Sequence, residues 1–195
     1  MSDKTQVLRD VYAALAELWS SPQDIDQEKA DGLISEALAR WESIDEAGPT
    51  CLSRFLQAPV PETDYVDLFE LDPRCPLYLG SHTFDEPTTC AGAATSDRNG
   101  YMLELGGIYK HFGMTLNGKE LADYLPLMME FLALSAESED PIRDKLIREY
   151  ILPYLPPMRS KLEELKTPYL YLLDALERTL KFDLENGTRE VINHA

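Results

Sequence analysis

Apolar side chains recur at three- and four-residue steps along most of the chain, and this periodicity constrains the fold more than any other feature. In residues 4–19, for example, Val7, Val11, Leu15 and Leu18 form one stripe. No stretch shows the period-two alternation that a half-buried strand would require. Because such stripes are buried against one another, the pattern predicts an all-α, single helical-bundle domain of about eight to ten helices.

Proline and glycine residues mark the joints between the predicted helices. We predict one bundle built from residues 1–62 and 100–185, with a recognition segment and long loop at 63–99 and a polar tail at 186–195. The predicted helices cover 4–19, 27–41, a short segment after the Gly48–Pro49 break, a short segment capped by Thr63, a segment from an Asp97 cap to Gly113, a segment beginning near Asp123, 140–152, a short helix ending near Leu165, and 168–183.

The stretch from Tyr65 to Asn99 interrupts the periodicity over about thirty residues, and connections of that length are usually functional or disordered. It begins with the acidic, aromatic segment 65–70 and becomes rich in Pro, Gly, Thr and Ala after His82. We interpret it as a functional surface followed by a mobile flap at 83–96. The alternative for the aromatic residues is that they belong to the core, with the acidic residues on a solvated face.

The segment from Glu120 to Leu132 also has a helical apolar pattern, in which Pro126 must occupy the first turn or produce a kink. If this helix begins at Asp123, the Asp123 carboxylate is its N-cap. Glu130 then lies two turns further along the same side. The apolar stripe consists of Leu121, Leu125, Met128 and Leu132.

Charge and composition exclude several classes of partner. The 35 acidic residues outnumber the 18 basic ones, and the net charge of −17 repels nucleic acid and anionic membranes. A basic peptide or protein surface is a better partner, although the charge could also serve solubility alone. The sequence shows no secretory signal and no run of about 18 apolar residues, so we expect a cytoplasmic protein.

The candidate catalytic and metal-binding residues form no recognised pattern. The three cysteines, Cys51, Cys75 and Cys90, suit a reducing compartment. The spacing of Cys75, His82 and Cys90 matches no zinc motif, and a Cys–His nucleophilic pair would lack an orienting third group. Phosphate-binding glycine loops and hydrolase motifs are absent from the sequence. We therefore predict a binding protein without enzymatic activity and without a stably bound metal or cofactor.

Three motifs resemble those of the TorD/DmsD/NarJ-type redox-enzyme maturation chaperones, which include the nitrate reductase delta subunits. The first is Tyr65-x-x-Leu68-Phe69, and the second is the apolar, aromatic segment Pro76–His82. The third, ELADYLPLMMEFL from Glu120, is similar to the E-L-P-D-H-L-P-x-x-L-E-F of the nitrate reductase branch. The resemblance covers most of the chain, and its specific part lies between residues 65 and 132.

The resemblance implies a non-enzymatic cytoplasmic chaperone that holds the apo catalytic subunit of a molybdenum oxidoreductase, in some cases by a twin-arginine signal, until molybdopterin guanine dinucleotide is inserted. That cofactor belongs to the client. We expect a monomer rather than a dimer, and no contact with nucleic acid or membrane. The alternative is a helical scaffold or regulatory subunit retained in the mature complex. The implied client-binding residues are Tyr65, Phe69, Tyr78, Ser81, His82, Asp123, Tyr124, Pro126 and Glu130.

Overall fold

The computed structural model describes residues 3–42, 47–58, 60–84 and 96–192. Every regular secondary-structure element in these ranges is a helix. The all-α prediction is therefore confirmed. The α-helices are α1 (Asp3–Trp19), α2 (Gln27–Trp41), α3 (Ala47–Gln57), α4 (Glu62–Phe69), α5 (Asp97–His111), α6 (Leu125–Leu134), α7 (Pro141–Lys145), α8 (Leu155–Leu165) and α9 (Tyr169–Ile192).

Shorter helical turns complete the described chain. A 3-10 helix (Leu79–His82) lies between α4 and α5. A π-helical stretch (Leu146–Ile151) and a 3-10 turn (Leu152–Tyr154) join α7 to α8. None of the helices in the described ranges is long and apolar enough to cross a membrane.

Helix α1 lies at the centre of the bundle and packs against α2, α6 and α9. Its side chains Tyr12, Leu15 and Trp19 have no exposed surface. Burying an aliphatic or aromatic side chain of this size contributes about 1.5–3 kcal/mol, so these contacts stabilise the bundle more than helix propensity does. The predicted stripe on residues 4–19 is thus the core of the protein.

An aromatic cluster joins α1, α3, α4 and α9 at one end of the bundle. Phe69 meets Tyr169 edge to face with ring centroids 4.7 Å apart, and Phe55 lies 5.1 Å from the same ring. The Tyr65 hydroxyl donates a 3.1 Å hydrogen bond to the Trp19 carbonyl. Such ring pairs add about 0.5–1.5 kcal/mol each beyond burial, so α4 is anchored through its aromatic face.

A buried ion pair ties α7 to α9 beside Tyr12 of α1. The Arg143 guanidinium donates to both carboxylate oxygens of Asp183, at 2.9 and 2.8 Å. Arg143 also donates to Ser135 Oγ and to the Leu132 carbonyl. The Tyr12 hydroxyl completes the network with a 2.8 Å bond to Asp183. Every charged group in this network is therefore paired.

Two predicted N-caps are wrong. Helix α4 begins after Pro61 with no side-chain cap, so Thr63 lies inside its first turn. At α5 the cap is Ser96, whose hydroxyl accepts from the Asn99 amide, while Asp97 is the first helical residue. In both cases the favourable residue stands one or two positions inside the helix, where its carboxylate or hydroxyl no longer reaches the orphan amides.

The predicted end of α5 at Gly113 is confirmed in detail. Gly113 has a φ of +74°. Its amide donates to the Lys110 carbonyl, and the Met114 amide donates to the Tyr109 carbonyl. This pair of bonds is the Schellman motif, which favours glycine at the left-handed position.

Two other helix boundaries differ from the prediction. Gly48 and Pro49 lie in the first turn of α3 and do not break the chain, because proline needs no amide partner there. A Cβ at Gly48 would overlap the Trp41 indole, so the glycine permits α3 to approach α2. Helix α9 continues to Ile192, beyond the predicted end at Asp183, and includes part of the predicted tail.

The long central stretch is in part ordered by turns. Between α4 and the 3-10 helix the Cys75 amide donates a 2.9 Å bond to the Leu68 carbonyl, which folds the chain back onto α4. Residues 85–95, which make up most of the predicted flap and include Cys90, lie outside the described residues. The long loop and the division into segments therefore stay predictions.

Candidate partner-binding site

The segment before the 3-10 helix pairs with the segment before α6. The Leu79 amide donates a 3.0 Å bond to the Asp123 carbonyl, and the Leu125 amide donates a 2.9 Å bond to the Leu77 carbonyl. These bonds form an isolated antiparallel bridge between Tyr78 and Tyr124. The bridge brings together two motifs that are more than forty residues apart in sequence. Tyr78 bonds to Glu120, 42 positions away, and Gly80 bonds to Asp123, 43 positions away.

The Asp123 side chain lies behind this bridge and is fully buried. Its Oδ2 accepts a 2.9 Å hydrogen bond from the Gly80 amide, and Arg98 Nη2 lies 3.9 Å away. Its Oδ1 has no hydrogen-bond partner among the described residues. Burial raises the pKa of the Asp123 carboxyl, while the Gly80 amide and Arg98 oppose that rise. Asp123 therefore holds the 3-10 turn in place with one oxygen.

The alternative role of Asp123, as the N-cap of a helix that begins there, is not observed. Helix α6 begins at Leu125, its N-cap residue is Tyr124, and no side chain caps it. Pro126 lies in the first turn, as predicted, where its missing amide costs nothing. The Asp123 carboxylate is thus available to bind across to Gly80.

Gly80 is required by close approach to this carboxylate. A Cβ at this position would lie 2.7 Å from Asp123 Oδ2 and 3.4 Å from the Phe84 and Tyr101 rings. The first distance is far inside van der Waals contact, so a side chain at this position would force the turn or the buried Asp123 carboxylate to shift. The hydrogen bond between the Gly80 amide and Asp123 therefore depends on the missing Cβ of Gly80.

Two tyrosines cover the bridge on its outer side. The rings of Tyr78 and Tyr124 are half-buried, with centroids 5.3 Å apart. The Tyr78 hydroxyl donates a 2.7 Å bond to Glu120 Oε2. Burial and this bond raise the pKa of Tyr78. The surface thus offers two fixed aromatic faces beside a carboxylate; we call Tyr78, Glu120 and Tyr124 the tyrosine surface.

Ser81 and His82 lie half-buried on the 3-10 helix next to Asp123. Arg98 donates a 2.9 Å bond to Ser81 Oγ. His82 Nε2 lies 2.7 Å from the Pro76 carbonyl, which can only accept, so Nε2 carries the proton. Burial lowers the pKa of His82, which favours the neutral imidazole near pH 7.

Among the other predicted site residues, Tyr65 contacts the tyrosine surface through a side-chain hydrogen bond with Tyr124. Tyr65 and Phe69 are buried in the aromatic cluster, and Pro126 is buried at the start of α6. Glu130 is exposed on α6, where partial desolvation and Glu17 raise the pKa of its carboxyl. The structure therefore brings together Tyr78, Ser81, His82, Asp123 and Tyr124, and Tyr65 contacts Tyr124 from the aromatic cluster. Phe69 and Pro126 support the bundle, and Glu130 stands apart.

Sequence reasoning missed three residues of the site. Glu120 is the first residue of the third family motif, and its hydrogen bond to Tyr78 is what places it in the site. Gly80 could have been suspected, since a glycine within an apolar segment often marks a close approach. Arg98 gave no local signal, because its partners Ser81 and Asp123 are distant in sequence.

The thiol and imidazole candidates do not form a reactive site in the described part of the chain. Cys75 is buried, and burial raises the pKa of its thiol to about 12, which disfavours the thiolate that a nucleophile or metal ligand requires. No group of three potential metal ligands occurs among the described residues. Cys90, the third member of the candidate set, lies outside the described residues.

Comparison with known proteins identifies the family. A family model described as nitrate reductase delta subunit matches residues 34–174, which is more than half of the chain. The chain belongs to the nitrate reductase delta subunit family. The matched region contains both halves of the tyrosine surface and the buried Asp123, and the resemblance inferred from the motifs is confirmed.

Two curated relatives from Escherichia coli strain K12 are similar to this family member. One is named nitrate reductase molybdenum cofactor assembly chaperone NarJ and is 27% identical over 169 residues, which cover 83% of this chain and 62% of NarJ. The other is named probable nitrate reductase molybdenum cofactor assembly chaperone NarW and is 28% identical over 123 residues, which cover 62% of this chain and 48% of NarW. The chain therefore spans about half to three fifths of the length of these relatives.

Proposed function

We propose that this protein is a non-enzymatic cytoplasmic chaperone that binds the apo catalytic subunit of a molybdenum oxidoreductase. It keeps that subunit competent for cofactor insertion before export or assembly, and it binds no cofactor stably itself. The names of NarJ and NarW support a client of the nitrate reductase type. The single observation that carries the proposal is the tyrosine surface, which is fixed to the bundle through backbone hydrogen bonds.

The chemistry of the tyrosine surface suits a basic, partly apolar peptide. Tyr78 and Tyr124 supply rigid aromatic contact area, which binds at low cost in side-chain entropy. Glu120 supplies charge that pairs with lysine or arginine, and the net charge of −17 attracts basic segments from a distance. A twin-arginine signal of the client has this composition and is our first candidate for the bound segment.

The site residues divide by position. In this proposal Tyr78, Ser81, His82 and Tyr124 touch the client, and Glu130 adds a second acidic contact. Asp123 and Pro126 position the bridge. The buried rings of Tyr65 and Phe69 hold α4 beneath it. The protein acts as a monomer, without nucleic acid or membrane contacts.

Affinity purification tests the proposal. The tagged protein, produced in its native cells under conditions that induce molybdenum oxidoreductases, should recover a large catalytic subunit that lacks its cofactor. The Tyr78→Ala and Tyr124→Ala variants should each recover less, because about 1–2 kcal/mol of aromatic contact is lost. Tyr171→Ala is the matched control, since Tyr171 is an exposed tyrosine on α9 that contacts Arg54. Recovery of no such subunit at any stage would refute the proposal.

A second candidate function follows from the family description itself, which names a subunit. In that case the protein is a helical scaffold that stays in the mature complex. Stoichiometry separates the two functions. A chaperone is absent from the purified active oxidoreductase, whereas a subunit remains at a constant molar ratio through every purification step.

A further inference from the structure

A separate pocket lies between the start of α5 and the π-helical stretch before α8. Its volume is about 480 Å³, and it opens to solvent. It is lined by the aromatic residues Phe84, Tyr101, Tyr150 and Tyr154 and by the carboxylates of Asp97 and Glu104, among others. None of the residues described as lining it carries positive charge. Tyr150 belongs to the π-helical stretch, and π-helical turns often occur at functional sites.

The aromatic rings form a continuous wall. Tyr101 and Tyr154 are stacked with centroids 4.4 Å apart and an interplanar angle of 30°. Phe84 lies 5.6 Å from Tyr101 and 5.7 Å from Tyr154. The Tyr101 hydroxyl is fixed by a 2.8 Å bond to the Tyr150 carbonyl. The wall is therefore rigid before any ligand binds.

A carboxylate stands beside this wall. Glu104 Oε2 accepts a hydrogen bond from the Tyr150 hydroxyl, which orients the carboxylate. Glu104 itself is exposed, and so is its neighbour Leu103 at the rim. Lys145 Nζ lies 5.7 Å from the centroid of the Tyr150 ring, which places one cation at the edge of the cluster already.

Two opposing electrostatic contributions act in the pocket: the negative carboxylates and the partial positive charge at the N-terminus of α5. A helix N-terminus carries roughly half a positive charge, which alone would favour an anion. The Asp97 and Glu104 carboxylates supply two full negative charges at the same place. The Ser96 hydroxyl and carbonyl already accept from the Asn99 and Gly100 amides. The carboxylates therefore outweigh the dipole, and the pocket favours a cation.

We propose that this pocket binds a guanidinium group, presented as an arginine side chain by a partner protein. A planar guanidinium stacks on aromatic faces and pairs with a carboxylate through two parallel hydrogen bonds. The half-buried Tyr154 ring and the exposed Glu104 carboxylate offer both contacts, and the buried Tyr101 ring supports Tyr154 by stacking against it. A lysine ammonium can use only the charge, and an uncharged side chain would leave Glu104 desolvated. The partner's identity rests on the proposed function, whereas the ligand class does not.

Titration with a small probe tests the ligand class. Acetyl-Gly-Arg-Gly-amide is added to the full-length labelled protein, and the amide resonances of Gly100 and Tyr101 are followed by NMR. We expect saturable shifts in both, with an affinity about threefold or more above that of the matching lysine peptide. The citrulline peptide, which has the same shape without charge, should not saturate.

Variants locate the site. Glu104→Gln and Tyr154→Ala should each weaken arginine-peptide binding about fivefold or more, which corresponds to loss of a charge-assisted bond or a stacking face. Glu62→Gln is the matched control, because Glu62 lines a second acidic groove on α4 with Val66 and Leu71. That variant should change the affinity by less than about twofold.

Three results would overturn the inference: equal affinities for arginine and lysine peptides, shifts confined to the α4 groove, or no saturation at any peptide concentration. The inference and the proposed function fail separately. Glu104→Gln could lose peptide binding and still recover the catalytic subunit in full. The pocket would then bind a guanidinium group that the client does not supply, and a client arginine would be refuted as the occupant. If the unmodified protein recovers no client, the function fails while the peptide result stands.

Discussion

Two of the aspartates that are buried in the described part of the chain, Asp183 and Asp123, differ sharply in their hydrogen bonds. Asp183 receives three hydrogen bonds, from Tyr12 and from both arms of the Arg143 guanidinium. Asp123 receives one side-chain bond, from the Gly80 amide, and its Oδ1 has no partner among the described residues. Its nearest arginine, Arg98, stands 3.9 Å away and donates to Ser81 instead.

We propose that Asp183 contributes to the stability of the bundle and that Asp123 contributes to the candidate site. A buried carboxylate with all its partners rigidifies the helices around it. A buried carboxylate with an unpaired oxygen costs free energy that the fold alone does not require. Asp123 stands directly behind the bridge that carries Tyr78 and Tyr124. In this proposal the free-energy cost of burying Asp123 is offset when the bridge is held in one conformation for a partner.

The largest effect is expected from breaking the Arg143–Asp183 pair. Arg143→Met leaves the Asp183 charge buried and unpaired, so the free energy of unfolding should fall by about 3–5 kcal/mol. Urea denaturation followed by circular dichroism measures the loss. The double variant Arg143→Met/Asp183→Leu removes both charges and should recover most of it. A loss below about 1 kcal/mol in the single variant would show that the network is not a stabilising element.

The second prediction concerns the contact between Gly80 and Asp123. Gly80→Ala places a Cβ 2.7 Å from Asp123 Oδ2, so either the turn or the carboxylate must shift. We expect a loss of about 1–3 kcal/mol in stability and a larger relative loss in recovery of the client. Gly106→Ala is the control, since a Cβ there meets no atom within 4 Å. That change in the interior of α5 should stabilise by up to about 1 kcal/mol.

The same contrast explains what could be predicted from the sequence. The stripe through Val7, Val11 and Leu15 determines a helix, because helical contacts are local and repeat every turn. The partnership of Asp123 with Gly80 joins residues that are 43 positions apart and follows no period. Local reasoning could offer Asp123 only a role at the nearest helix, as a conditional N-cap, and the helix begins two residues later. Only the family resemblance implied that residues of both motifs serve one binding surface.

A third, smaller effect should appear when the Asp123 charge is removed. Asp123→Asn keeps the shape and should change the free energy of unfolding at pH 7 by only about 1 kcal/mol. The pH dependence is more informative. Because the pKa of Asp123 is raised in the folded state, the unmodified protein gains stability as the pH falls through that pKa, and the gain is complete below the unfolded value of 3.8.

The Asn variant lacks this gain. The difference in unfolding free energy between the two proteins should therefore move in favour of the unmodified protein as the pH is lowered from neutrality. Parallel urea titrations across that range measure it, and the difference cancels the contribution of the other acidic groups. Curves that stay parallel would mean that Asp123 titrates in the folded protein as it does in the unfolded chain.

The smallest effect is expected from Arg98, the counterpart of Arg143 at the other aspartate. Arg98→Met keeps the apolar stem but removes the bond to Ser81 and the charge near Asp123. The loss in stability should be about 1 kcal/mol, well below that of Arg143→Met, because no carboxylate in the described part of the chain accepts a close hydrogen bond from Arg98. Since Arg98 lowers the pKa of Asp123, its removal should raise that pKa further, and the pH-linked gain should begin at a higher pH. If Arg98→Met instead costs as much as Arg143→Met, the two buried aspartates are structural in the same sense, and the distinction between them fails.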